Sequence, residues 1–513
     1  MTIFQLVGER EGRKVLEIRS PVNLEVQGEL VCANAADVQQ AVATARRAQQ
    51  GWAALGVAGR VAYMQKALAV VLADSDEIQR VIISETGKVP TEALMEVWAI
   101  CDSLAYYSKN ARKFLAPERR KVHGFMGFLK KLHLVYQPLG VVGVISPWNA
   151  PLVLSMNPAI QALIAGNCVI IKGSEVTPES AGLVGMIFRK AGLPEGVLQV
   201  LKGDGQTGAA LVEGGINKVA FTGSVATGRK VAEACGRQLI PCTLELGGKD
   251  AMIVCADANL TRAATGALNG SLFNSGQYCC GTERIYVVEA IYDQFIQRLM
   301  EQAGKLKQGQ AHGDEEEVGA IYWDRQLTII ENHVADAVAK GAKILQGGKR
   351  NASLKGLYYE PTVMVNVNHT MKIMTEETFG PILCIQKVKD EAEALLLANQ
   401  SEYGLSGNIW STNNEKAVRL AEAMATGSVS INDMACTYGI PEAPFGGLKT
   451  SGVGQVNGRE GLRSYCHAKP IIVDRQGSKD KLQAGYPYTK KNLDGMKKLM
   501  RLIWGTRLGA WLS

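Results

Sequence analysis

The sequence predicts an α/β protein with two parallel-sheet domains in tandem. Three observations lead there. From residue 141 onward, short apolar runs alternate with amphipathic helical stretches, the pattern of strands covered by helices on both faces. A second alternating series begins near Ala251. The chain, at 513 residues, exceeds what one hydrophobic core organises, so two or three domains are expected.

Residues 36–84 are helical by periodicity. Val38, Val42 and Ala45, then Val61, Met64, Leu68 and Val71, recur at spacings of three and four. Gly87 suits a helix end, and a further helix covers residues 91–107. Beyond Tyr136-Gln137-Pro138 the character changes. Residues 141–145 and 168–171 read as buried strands. A helix follows, with Thr177 as N-cap, Pro178 at its first position and Glu179 in its first turn. Residues 198–201 and 219–221 are two more strands. The second series runs from a strand at 251–254 through a helix to about residue 274, a strand at 284–288 and a helix near 291–306. Residues 461–473 read as a late strand. An antiparallel α+β arrangement is disfavoured because hairpin turns are scarce.

Composition excludes several classes. With 47% hydrophobic and 20% charged residues the chain is of the ordinary globular type. Eleven scattered cysteines do not make a disulfide scaffold, and reduced thiols in a cytoplasmic enzyme are expected. The histidines form no metal signature, so no metal is expected. The first residues lack the apolar core of a secretory signal, and no run approaches the ~20 apolar residues of a membrane span. The net charge of +7 is local. Residues 112–131 and 488–513 together carry +11, leaving the remainder at about −4. No basic face with interleaved aromatics suggests nucleic acid.

Several stretches suggest chemistry. Phe221-Thr222-Gly223-Ser224-Val225-Ala226-Thr227-Gly228 is a strand, a glycine turn and a helix start, suited to phosphate but weak alone. Lys172 and Glu175 follow a strand, where ligands gather in open parallel sheets. Asn274-Ser275-Gly276-Gln277-Tyr278-Cys279-Cys280-Gly281-Thr282 places a cysteine between a helix and a strand; it is a candidate nucleophile or a buried structural thiol. Glu245, between Leu244 and Leu246, is a candidate base or simply a charge at a strand end. Asn149, in Pro147-Trp148-Asn149, is a candidate oxyanion donor or a turn residue.

In order along the chain, PWNAPL, KGSEVTP, FTGSVATG, LELGGKD, FNSGQYC, EETFGP and PFGGLKTSG resemble the aldehyde dehydrogenase superfamily, over about residues 20–475. Any one of them is weak; seven in sequence are specific. The resemblance implies a Rossmann-type NAD-binding domain (1–119 and 139–246), an α/β catalytic domain (247–461) and a small bridging sheet (120–138 and 462–476) that joins subunits into a homodimer or homotetramer. It implies Cys279 as nucleophile, with Cys280 a non-catalytic neighbour. Asn149 and the Cys279 N–H become the oxyanion hole, and Glu245 the base for hydrolysis. Pro147, Trp148, Lys172, Glu175, Phe221, Gly223, Ser224, Leu246, Glu377 and Phe379 become the cofactor site. Coenzyme-A-acylating members usually lack the glutamate, so hydrolysis to the acid is expected. A carboxylate at Glu175 favours NAD, and Lys172 leaves room for NADP. Gly173 stands where the family commonly has Pro or Ala, and a looser ribose loop is expected from it.

Tyr278 is expected to line the aldehyde tunnel, beside the small Ala150. The motif segments offer no obvious arginine for a substrate carboxylate, so an apolar aldehyde, aliphatic or aromatic, is expected over a semialdehyde. A catalytically dead scaffolding member is disfavoured because Cys279, Glu245 and Asn149 are all present. The tail, residues 488–513, repeats Leu493, Met496, Met500, Ile503 and Trp504 at helical spacing among Lys490, Lys491, Lys497, Lys498, Arg501 and Arg507, with Trp511 beyond. Such a helix suits an anionic membrane surface, in general design like the tails of fatty aldehyde dehydrogenases. Packing on a neighbouring subunit or over the substrate entrance is the alternative.

Overall fold

The computed structural model describes residues 2–309, 315–434, 436–480 and 486–505, so Arg507 and Trp511 lie outside the described residues. Its centre is a six-stranded sheet in the order Gly452–Val453, Cys242–Glu245, Lys218–Thr222, Val141–Ile145, Cys168–Lys172, Leu198–Leu201. All neighbours are parallel except Gly452–Val453, which runs antiparallel to Cys242–Glu245. Val141–Ile145 and Cys168–Lys172 are buried throughout, as strands covered on both faces must be. The chain builds outward on one side, then returns to the other side of Val141–Ile145. The strand order therefore reverses between Val141–Ile145 and Lys218–Thr222, which leaves a crevice beyond their carboxyl ends.

The second sheet has seven strands, in the order Lys343–Gln346, Thr362–Val365, Ile382–Val388, Thr282–Val288, Asp250–Val254, Gly407–Trp410, Ser430–Ile431. Only the first pair is antiparallel. A separate three-stranded sheet joins Cys466–Asp474, Lys130–Pro138 and Glu118–Arg120 in antiparallel register. The α/β class with two parallel sheets is as the alternating pattern predicts.

Four local expectations change. The helical stretch 36–84 is three helices, Ala35–Ala54, Gly56–Ala73 and Ser75–Thr86, and the first two meet at 110° where Gly56 adopts φ +66°. Phe4–Arg10, Arg13–Arg19 and Val26–Val31 form an antiparallel sheet that sequence reading missed, because the outer strands are almost wholly exposed and carry no alternating apolar signal. The late strand begins at Cys466; Gly458–Arg463 before it is helical. Thr177 precedes helix Pro178–Lys190 but its hydroxyl does not cap it. The Glu85 carboxylate does so instead, accepting from the N–H groups of Glu179 and Ser180 at 2.7 Å each.

Candidate active site

Most of the predicted cofactor residues stand together because they lie at or just beyond the ends of strands of the first sheet. Pro147, Trp148 and Asn149 follow Val141–Ile145, Lys172 ends Cys168–Lys172 and Glu175 follows it. Phe221 is the penultimate residue of Lys218–Thr222 with Gly223 and Ser224 beyond it, and Leu246 follows Cys242–Glu245. They line one cleft of about 790 Å³, which also receives Cys279, Glu377 and Phe379 from the second domain. Trp323, Arg325 and Gln326 line it as well. Sequence reading missed these three, which belong to no motif.

Local packing shapes the cleft. Ser224 caps helix Val225–Gln238, accepting from the Thr227 N–H at 3.3 Å, so the helix's first amides open on the cleft. Lys172 Nζ lies 3.2 Å from Glu175 Oε2. Gly173 is not a loosening residue: a Cβ there would come within 2.2 Å of the Ala181 Cβ, so close packing requires the glycine. Gly248 donates its N–H to Glu377 Oε1 at 2.9 Å, and a Cβ on Gly247 would lie 2.5 Å from the same carboxylate. Glu377 is pushed up to about 8 by burial and by the neighbouring Glu283. Glu283 accepts from the N–H groups of Thr378 and Phe379, at 2.8 and 2.9 Å, and pairs with the buried Lys249. That anchor holds Phe379 at φ +54°, its ring edge-on to Trp148 with centroids 5.6 Å apart.

Cys279 sits at the end of a constrained turn. Asn274, Ser275 and Gly276 are consecutive left-handed residues, at φ +58°, +55° and +72°. A Cβ on Gly276 would strike the Gly380 carbonyl at 2.0 Å. The turn is tied down by buried groups: Glu92 Oε1 accepts from the Asn274 N–H at 2.7 Å, and Gln277 Oε1 from the Tyr322 N–H at 2.9 Å. Asn149 Nδ2 donates to the Gln277 carbonyl at 3.0 Å, which brings the Asn149 amide to the Cys279 turn. Among the described residues, the Cys279 N–H donates to no protein group. The Cys280 sulfur is buried 3.7 Å from that of Cys279.

Glu245 does not line the cleft. Its side chain is buried, and neither carboxylate oxygen has a partner. Burial pushes its carboxyl well above the usual range, and nearby Cys279 adds to this. Its charge in turn raises the Tyr438 and Tyr465 hydroxyls, each moved first by burial. An unpartnered buried carboxyl next to a cysteine is a site for a water molecule and a proton.

On this side Cys279, like Tyr278 and Tyr438, packs against a buried cluster of Cys280, Leu405, Phe445 and Val456. Sequence reading also missed Lys88, Glu92 and Glu96, the buried groups that brace the site. Their signal was acids spaced four apart on a helix with an apolar inner face.

Comparison with known proteins agrees with this geometry. The model of the aldehyde dehydrogenase family matches residues 7–471. A "4,4'-diapolycopene aldehyde oxidase" from Methylomonas sp is 39% identical over 488 residues, covering 95% of this chain and 91% of that protein. A relative from Mycolicibacterium smegmatis, provisionally named a succinate-semialdehyde dehydrogenase for NADP(+), is 38% identical and covers 86% and 85%. The structure of a Mycobacterium tuberculosis aldehyde dehydrogenase complexed with NAD+ superposes with a TM-score of 0.85 at 34% identity, covering 90% of this chain and 94% of that one. The chain belongs to the aldehyde dehydrogenase family.

Proposed function

We propose that the chain oxidises an apolar aldehyde to its carboxylic acid, with NAD as the hydride acceptor. The observation that carries this is the meeting of Cys279, the Asn149 amide and the buried, unpartnered Glu245 beside a cleft fit for a dinucleotide. The fit rests on the glycine-lined floor at Gly223 and Gly247, where a Cβ would meet the Phe221 ring and the Glu377 carboxylate. Lys172 and Glu175 would hold the adenosine ribose, the amides after Ser224 the pyrophosphate, and Glu377 the nicotinamide ribose. Trp148, Pro147, Leu246 and Phe379 would pack along it.

The Cys279 thiol gives its proton to solvent, and the thiolate adds to the aldehyde carbon. The resulting oxyanion is held by Asn149 Nδ2 and the Cys279 N–H. Bound NAD supplies the acceptor for the hydride leaving that carbon, and a thioester remains on Cys279. Glu245 takes a proton from water, whose oxygen attacks the thioester. The C–S bond breaks, releasing the acid and the Cys279 thiol.

The apolar preference is supported by the tyrosine, leucine, valine and phenylalanine packing around Cys279 and by the Methylomonas relative's printed substrate. A semialdehyde is the second reading, favoured by the name of the Mycolicibacterium relative, which also keeps NADP in view. We further propose a cytoplasmic homodimer or homotetramer joined through the three-stranded sheet, touching a membrane peripherally through helix Lys490–Gly505. The eleven free cysteines support a reducing compartment.

The test is a panel of straight-chain aldehydes of rising length, benzaldehydes and succinate semialdehyde, followed as NADH or NADPH with and without coenzyme A. Rising kcat/KM with chain length supports the reading. A preference for succinate semialdehyde by an order of magnitude sinks the apolar assignment. Unchanged NADH production by Cys279→Ala sinks the mechanism.

A further inference from the structure

We propose that one end of the three-stranded sheet is a docking surface for an anionic lipid bilayer. The proposal rests on the peripheral membrane contact suggested above, which it locates, and is independent of the aldehyde chemistry. Strands Lys130–Pro138 and Cys466–Asp474 pair along their whole length, from Pro138 opposite Cys466 to Lys130 opposite Asp474. The first end is tied to the nucleotide-binding sheet, since Asn167 Nδ2 donates to the Tyr465 carbonyl at 3.0 Å. The other end carries the connection between Glu118–Arg120 and Lys130–Pro138, which folds back on itself as the short helix Met126–Leu129.

That connection is compact. Gly127 donates its N–H to the Gly124 carbonyl at 2.9 Å, and a Cβ on Gly127 would lie 2.5 Å from the Val122 carbonyl oxygen. The fold presents apolar side chains to solvent: Phe125, Met126 and Phe128 are 40%, 48% and 63% exposed. Beside them lies a groove of about 840 Å³ lined by Arg119, Arg120, Lys121, Lys130, Lys131 and Arg475. The acids of the three strands are already engaged: Glu118 pairs with Arg120 and Arg463, and Asp474 with Lys130. Arg119, Lys121 and Lys131 have no carboxylate partner among the described residues.

The C-terminal tail starts at the same place. Arg475 donates its backbone N–H to the Leu129 carbonyl at 2.8 Å. The chain that leads on to the second basic, apolar segment therefore leaves the sheet beside the first. Helix Lys490–Gly505 adds exposed Leu493, Met496, Met500 and Trp504 to its own lysines. Cations surrounding exposed aromatic and aliphatic side chains match the interface of an anionic bilayer. A soluble anion would use the cations and leave Phe128 unexplained, and a second copy meeting this end with its own like end would bring like charges together, so the subunit contact proposed above falls to the rest of the sheet. No single described helix is long and apolar enough to cross a membrane, so the contact is with the surface.

The experiment is co-sedimentation of the full chain with phosphatidylcholine vesicles, with and without phosphatidylglycerol. Binding is expected only with phosphatidylglycerol. It should fall about tenfold or more in R119E/K121E/K131E and separately in F125S/F128S. Oxidation of a water-soluble aldehyde without vesicles, and mass by light scattering, should stay unchanged in both. Deletion of residues 488–513 should weaken binding and leave a remainder that the charge reversals abolish. Binding lost completely with the tail and untouched by either tip variant overturns the proposal. So does a changed oligomeric mass in the tip variants, which assigns the surface to a second copy. Calorimetric binding of inorganic phosphate without vesicle binding assigns the groove to a soluble anion and also overturns it.

Discussion

Asn149 and Gln277 join the two domains beside the candidate nucleophile: the carboxamide of Asn149 donates to the Gln277 carbonyl at 3.0 Å, two residues before Cys279. The clasp is reciprocal, because Asn274 of the same turn donates its side-chain amide to the Asn149 carbonyl at 2.8 Å. The Asn149 side chain is thus aimed by a backbone carbonyl while its own backbone is held by a side-chain amide, the fixed geometry that a preorganised oxyanion donor needs. Asn149→Ala should lower the rate of the pre-steady-state NADH burst by about 10²–10³-fold. Binding of NAD, read by fluorescence titration, should change little. A burst at the wild-type rate rules out an oxyanion role.

Glu245 has no hydrogen-bond partner and a raised pKa, so its base form is populated only toward higher pH. Steady-state turnover limited by thioester hydrolysis should therefore rise with pH until Glu245 is ionised, then level off. Glu245→Gln should keep the NADH burst, lose that rising limb and lower steady-state kcat by about 10²–10⁴-fold. Equal loss of burst and steady-state rates contradicts a role in hydrolysis.

The seven motifs and the strand–helix alternation made the architecture and the residues that meet at the candidate site legible, because glycine turns at strand ends and an isolated acid or cysteine beside them are local signals. What stayed hidden depends on distant packing. Gly173 reads as flexibility in a loop, and only the Ala181 methyl against it shows that no side chain fits. Thr177 has the right type and position for a cap, yet Glu85, on an element far away in sequence, takes the helix amides. The clustering of residues 119–131 with Arg475 required the register of an antiparallel pair that neither segment encodes alone.

Glu92 links site geometry to stability. Burial raises its carboxyl to about 7 from an ordinary 4.5, although Oε1 accepts from the Asn274 N–H. A raised carboxyl pKa means that the folded chain holds the proton more tightly than the unfolded one. Glu92 therefore costs nothing below about pH 4.5, and its penalty grows between about 4.5 and 7. At full ionisation the loss is about 3 kcal/mol. Glu92→Gln keeps an acceptor for Asn274 and should flatten the fall of the denaturation midpoint across this window. An unchanged slope refutes the assignment.

In the binding mode proposed above, Glu175 would set the choice between cofactors through the charge it places near the ribose. Its partner Lys172, 3.2 Å away, is nearly buried and only partly offsets that charge. Glu175→Gln should raise kcat/KM for NADP relative to NAD by about tenfold or more, since removing one repulsive charge is worth at least about 1.4 kcal/mol. A fixed ratio of the two efficiencies places the 2′ position elsewhere.

Lys88 and Glu96 form a buried ion pair beneath the Asn149 loop, with side chains 2% and 6% exposed. Each has a second task. Lys88 donates to the Asn149 carbonyl at 3.2 Å, and Glu96 Oε2 accepts from the N–H groups of Leu152 and Val153, the first amides of helix Pro151–Ala165. Lys88→Met would leave the Glu96 charge buried with only those amides, a loss of about 3–5 kcal/mol. Glu96→Gln keeps one acceptor for the helix and removes the charge, so K88M/E96Q should recover part of what K88M loses. Denaturation midpoints of the wild type, both single variants and the double variant give the coupling directly. Strict additivity means that the pair is not coupled and that Lys88 acts through the Asn149 carbonyl alone.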